Sequence, residues 1–123
     1  MAEVLVDDGK REMISALNTA NPSHIGWGVG TGTASESNSA LFDEVQSRVD
    51  GTTTVETTNV TDDTYQVVAE LISDSTQTIE EVGLFTDTQA NNGNLLVHAD
   101  FEGVPLEADD KIEFTIEIVQ TNV

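Results

Sequence analysis

The side chains best equipped for chemistry in this chain are its carboxylates and its two histidines. Acids stand side by side at Asp7-Asp8, Asp43-Glu44, Asp62-Asp63, Glu80-Glu81 and Asp109-Asp110. Glycoside hydrolysis uses two carboxyl groups that face each other across a cleft at a set distance. Neighbours along a strand point to opposite faces, so these pairs do not make that geometry by themselves. In a chain with 23 acidic residues several adjacent pairs arise by chance, and solvated surface is their expected place. His24 and His98 would need a nucleophile and an orienting acid assembled around them. No serine sits in a G-x-S-x-G nucleophile turn, and both histidines are expected as polar rim residues beside strands. No catalytic residue is assigned, and the chain is expected not to be an enzyme.

Acidic loops can also hold hard cations through oxygen ligands. Residues 87–94 supply oxygens and a glycine, but they miss the calcium-loop spacing and no glutamate closes them. Asp62, Asp63, Asp109 and Asp110 are the weak candidates for a loosely bound cation. No defined metal site and no cofactor are expected. Gly26, Gly28, Gly30 and Gly32 recur at every second position. A phosphate-binding loop would need a different spacing and a helix opening directly after it. The alternation fits a strand whose one face lacks side chains because another element or backbone lies close.

Charge narrows the function classes. Against 23 acids there are four basic residues, Lys10, Arg11, Arg48 and Lys111, for a net charge of −19. Repulsion at that density destabilises a compact state at low salt. At about 1 M salt the Debye length is about 3 Å and most of the repulsion is screened. A saline cytoplasm, hence a halophilic origin, is the expected setting. Nucleic acid is excluded as a partner, since it needs a basic footprint. There is no cysteine, so disulfides and thiolate sites are excluded. No apolar run approaches the roughly 18 residues of a spanning helix, so no membrane insertion is expected.

The elements that must position these residues follow from periodicity. Residues 7–20 read as a short helix, capped by Asp7 or Asp8, with Met13, Ile14 and Leu17 as its apolar stripe. Asn21-Pro22 ends it. A strand is expected at 25–29. Residues 39–48 read as a second short helix, with Leu41 and Val45 on one face and Glu44 meeting Arg48 at i,i+4. Strands follow at 52–60, at Tyr65, Val67, Ala69 and Leu71, and at 79–85. A hairpin loop at Asn91-Asn92-Gly93-Asn94 leads into a strand at 95–101. In the last strand Ile112, Phe114, Ile116 and Ile118 face one way, with Lys111, Glu113, Thr115 and Glu117 opposite. The fold class is mainly β, an antiparallel sandwich or sheet with two short helices, in a single module over residues 1–123. Trp27 reads as a core anchor rather than an interface residue.

The order of these segments resembles a known family. Asp8-Gly9 and Leu17 in the first helix precede IGWGVGTG at 25–32. The block ALFDEV at 40–45 follows, with Arg48 after it. Next come Ala69-Glu70-Leu71, then IEEVGLF at 79–85 and GNLLVHADF at 93–101. The chain resembles the N-terminal module of phage tail-collar fibre proteins and similar small tailed-virus structural proteins. Gly103-Val104-Pro105-Leu106-Glu107 departs from the lysine-containing stretch usual in that module, and the long fibre usual after the module is not expected here. The resemblance implies a non-enzymatic virion structural protein, at the tail, baseplate or fibre-attachment point, acting by oligomerisation and docking. It implies other virion proteins and further copies of itself as partners, assembly in the host cytoplasm, and no particular host receptor. A capsid decoration or turret protein is the alternative. A polysaccharide-acting hydrolase subunit and a host-derived binding module are the further ones. Trp27, Glu44, Arg48, Gly83, Leu84, Phe85, Phe101 and Phe114 are the structural or interface candidates, and the free edge of the last strand could pair with a neighbour.

Overall fold

The computed structural model describes residues 3–88 and 92–121. One helix, α1 (Asp7–Ala20), precedes seven strands: β1 (His24–Gly28), β2 (Glu44–Asp50), β3 (Thr52–Glu56), β4 (Thr64–Ile72), β5 (Gln77–Phe85), β6 (Leu95–Leu106) and β7 (Lys111–Val119). They form two antiparallel sheets, ordered β2-β1-β5-β6 and β3-β4-β7. The class is mainly β, as the alternating patterns imply.

The sheets share one core. Ile25 and Trp27 of β1 and Val82 and Leu84 of β5 meet Tyr65, Val67, Ala69 and Leu71 of β4. Trp27 is fully buried and meets Phe114 of β7 edge to face, with ring centres 6.3 Å apart. Its indole N–H finds no acceptor among the described residues. The Tyr65 hydroxyl does, donating to Pro22 O at 2.8 Å. Each such side chain contributes about 1.5–3 kcal/mol by leaving water.

Helix α1 has the expected bounds with different details. Its N-cap is Val6, without a side-chain cap, and Asp7 and Asp8 sit in the first turn. There they favour the helix through its dipole instead of capping it. Ile14 enters the core, but Met13 is 48% exposed and leaves the stripe. Asn21, in the left-handed region at φ 53°, closes the helix by donating to Leu17 O; Pro22 follows.

The second expected helix is not there. Residues 39–43 are irregular and Glu44–Asp50 is strand β2. Between the pairs Ile25↔Val49 and Trp27↔Val45, the single residue Gly26 stands opposite Gln46, Ser47 and Arg48. This bulge, with Gln46 at φ 62°, shortens the strand locally. Glu44 and Arg48 therefore meet at i,i+4 without a helix. The strand expected at 52–60 also stops early, at Glu56, because the next amides turn toward Asp63. Strand β6 runs further than expected, through Pro105 to Leu106, which an edge position tolerates. The hairpin between β5 and β6 pairs Phe85 with Leu95; of its expected loop, Asn91 lies outside the described residues.

Candidate functional site

The first sheet has an inner face in the core and an outer face crossed by residues 29–43. Gly26 and Gly28 lie on that outer face, in register with Gly83 and Glu81 of β5. A Cβ on Gly28 would come to 2.5 Å from Asp43 O, and one on Gly30 to 2.6 Å from Asp43 N. The alternating glycines thus make room for a crossing backbone, and Val29 N–H donates to Asp43 O at 3.0 Å. Gly83 serves differently from Gly28. A Cβ there would meet the side chains of Leu41, Leu95 and Phe85 rather than backbone.

Glu81 is fully buried beneath this crossing segment. Its Oε2 accepts from Gly30 N–H at 3.2 Å and Asp43 N–H at 2.8 Å, and its Oε1 accepts from Phe42 N–H at 2.8 Å. His98 of β6 places Nε2 2.9 Å from the same Oε1. The other ring nitrogen, Nδ1, lies 2.9 Å from Asn38 Oδ1, which already accepts from Ser35 N–H at 2.8 Å. Asn38 Oδ1 is therefore an acceptor and Nδ1 carries the proton. The imidazole stacks against Phe42, ring centres 4.9 Å apart, and its side chain is only 4% exposed. His98 is not the rim residue expected; it is an internal strut with both nitrogens engaged.

Beside it stands a second polar centre. Arg48 donates to Glu44 through Nε at 2.8 Å and Nη2 at 2.9 Å, a two-pronged ion pair. Its Nη1 donates to Asp87 O at 2.9 Å and Asn92 O at 3.1 Å, and the guanidinium lies 3.4 Å from the Phe85 ring centre. Arginine suits this place because its planar fork can serve carboxylate, carbonyls and ring at once. A cleft of about 490 Å³ opens between Ser39, Phe42, Arg48, Asn92 and Gly93. Its one guanidinium already makes four hydrogen bonds, to Glu44 and to two backbone carbonyls.

The chain matches no protein-family model and no curated protein.

Among the described residues no three histidine or acidic side chains gather in a way that could hold a metal ion. The candidate acids have turn roles. Asp62 and Asp109 occupy left-handed turn positions, at φ 58° and 74°. Asp110 Oδ2 accepts from Glu107 N–H at 2.9 Å. Asp63 is buried, and its oxygens take up Thr58, Asn59 and Val60 N–H at 2.9–3.0 Å and the Thr64 hydroxyl at 2.9 Å. The Val60 N–H first, then those of Thr58 and Asn59 and the Thr64 hydroxyl, hold its carboxyl well below the usual carboxylate range against the push of burial.

The structural candidates fall into three places. Glu44, Arg48, Gly83 and Phe85 come together on the outer face. Trp27 and Leu84 are core. Phe101 and Phe114, 6.1 Å apart, lie half-buried where β6 and β7 face each other. Sequence reasoning missed Glu81, His98, Asn38 and Asp63 as structural centres. For Glu81 a signal existed. Adjacent strand residues point oppositely, so one member of Glu80-Glu81 had to face the side lined by glycines.

Proposed function

We propose that this chain is a non-enzymatic structural protein of the virion of a tailed virus. It acts as a tail, baseplate or fibre-attachment subunit that self-associates and docks onto other virion proteins, in a virus of a halophilic host. The observation that carries this reading is the meeting of the blocks on which the tail-collar resemblance rests. Leu41, Phe42, Asp43, Glu44 and Arg48 from one block pack against Glu81, Gly83, Phe85, Leu95 and His98 from the other two. The polar side chains of Glu44, Arg48, Glu81 and His98 bond to each other, to Asn38 and to backbone, as a rigid module for display and assembly requires. A reactive centre would keep a histidine nitrogen or a carboxylate free for substrate. The net charge of −19 suits a saline cytoplasm.

Mass spectrometry of gradient-purified virions tests the proposal. The chain is expected at a copy number matching a symmetric ring or cluster. Its recovery only from the soluble lysate would contradict the reading.

A further inference from the structure

Four strand edges end the two sheets, and three carry features that hinder pairing with another chain. Strand β6 contains Gly103 and Pro105 and a bulge opposite Glu80; β2 carries the Gln46 bulge; β3 spans only Thr52–Glu56. Bulges, prolines and short length are the usual ways of blunting an edge. Strand β7 has none of these three; the charges that also guard edges, Lys111, Glu113 and Glu117, stand on its solvent face, where they select the partner's register. It pairs with β4 without interruption from Lys111↔Ile72 to Val119↔Thr64, which leaves its other edge straight and unpaired among the described residues. Its inward residues Ile112, Phe114 and Ile118 are only half-buried, so the core is unfinished along this edge.

We infer that this edge is an interface between two copies of the chain, with β7 pairing antiparallel to β7 of the second copy about a two-fold axis at Phe114. The occupant and the register follow from charge. In a two-fold pair facing side chains share a face, so each register sets one residue opposite itself. Centred on Glu113, that glutamate faces itself and Asp109 faces Glu117. Centred on Thr115, Glu113 faces Glu117 twice. Both put like charges directly opposite, which is destabilising. Centred on Ile116, the strands overlap over the same length as when centred on Phe114, but Lys111 meets Thr121 and no opposite charges face each other. Centred on Phe114, Lys111 faces Glu117 on both sides of the axis, Glu113 faces Thr115, and Ile112 faces Ile116 on the apolar side. This register alone joins opposite charges and closes the apolar edge together. Lys111, one of four basic residues in the chain, lies 3.6 Å from Glu70 and is 62% exposed, so it can reach across.

This deepens the self-association in the proposed function, but the dimer would form whether or not the chain belongs to a virion, so the two can fail separately. Sedimentation equilibrium is run in about 1 M KCl, where the repulsion between two acidic bodies is screened, on the wild type, Glu117→Lys, Lys111→Glu and the double exchange. Thermal melts verify that each variant folds. A wild-type dimer is expected. Each single change should weaken it by about tenfold or more, since two symmetric pairs become like-charged, and the double exchange should restore it. The chain has no cysteine, so introduced ones report register cleanly. Phe114→Cys should form a disulfide-linked dimer on oxidation and Thr115→Cys should not. A monomer at every concentration, a dimer indifferent to both charges, or cross-linking through position 115 in preference to 114 would each overturn the inference. Should Phe114→Cys fail to fold, the charge exchange still decides it.

Discussion

At the scale of single residues, a few buried polar groups each collect several backbone amides and so hold the irregular segments to the sheets. Glu81 gathers three N–H groups and His98. Glu81→Gln sets an amide NH₂ against donors that need an acceptor. A loss of about 1–3 kcal/mol or more is expected, read as a lower melting temperature with faster amide exchange at Gly30, Phe42 and Asp43. Asp63 gives a prediction with a definite sign. Its folded value lies below its unfolded one, near 3.8. Its stabilisation is therefore complete above that pH and shrinks as pH falls through the folded value. Asp63→Asn should lower the melting temperature at neutral pH, and the gap to wild type should narrow steadily below about pH 4. Neither role was legible from residue type. In a chain this acidic, a buried carboxylate looks like its solvated neighbours, and only strand parity separated Glu81 from Glu80. His98 was hidden for the same reason. Its partners Asn38 and Glu81 lie 60 and 17 positions away in the chain.

At the scale of elements, the outer face depends on glycines and a bulge acting together. Gly26 faces the bulge, and a Cβ there would come to 2.6 Å from Glu44 Oε2 and 3.1 Å from Arg48 Cγ. Arg48→Ala leaves Glu44 partly buried without its partner and removes the bonds to Asp87 O and Asn92 O. Loss of one member of a buried pair costs about 3–5 kcal/mol, to be read by urea unfolding. Gly28→Ala forces the segment at Asp43 away, at about 1–3 kcal/mol. Its amide exchange should accelerate in the 29–43 region before the core strands change. The alternating glycines were legible as a face under close backbone, because their period matches a strand. The second helix was misread for an instructive reason. A Glu–Arg pair four apart is a helical signature, but a bulge that contracts the strand brings the same two side chains together. Strand β7 was legible because its apolar alternation runs unbroken, and helix α1 because Ile14 and Leu17 share a face between an acidic first turn and Asn21-Pro22.

At the scale of the whole molecule, charge governs. With a net charge of −19 on 123 residues, the melting temperature should fall as KCl is lowered below about 0.5 M, as the Debye length grows. A melting temperature flat with salt would contradict the saline setting. The position of the chain in an assembled particle tests the central claim most directly. A cryo-electron microscopy map of the purified virion should contain the two-sheet fold with α1 at its side, repeated by symmetry at the tail, baseplate or fibre-attachment point. A well-resolved virion in which no density accommodates this fold would contradict the account.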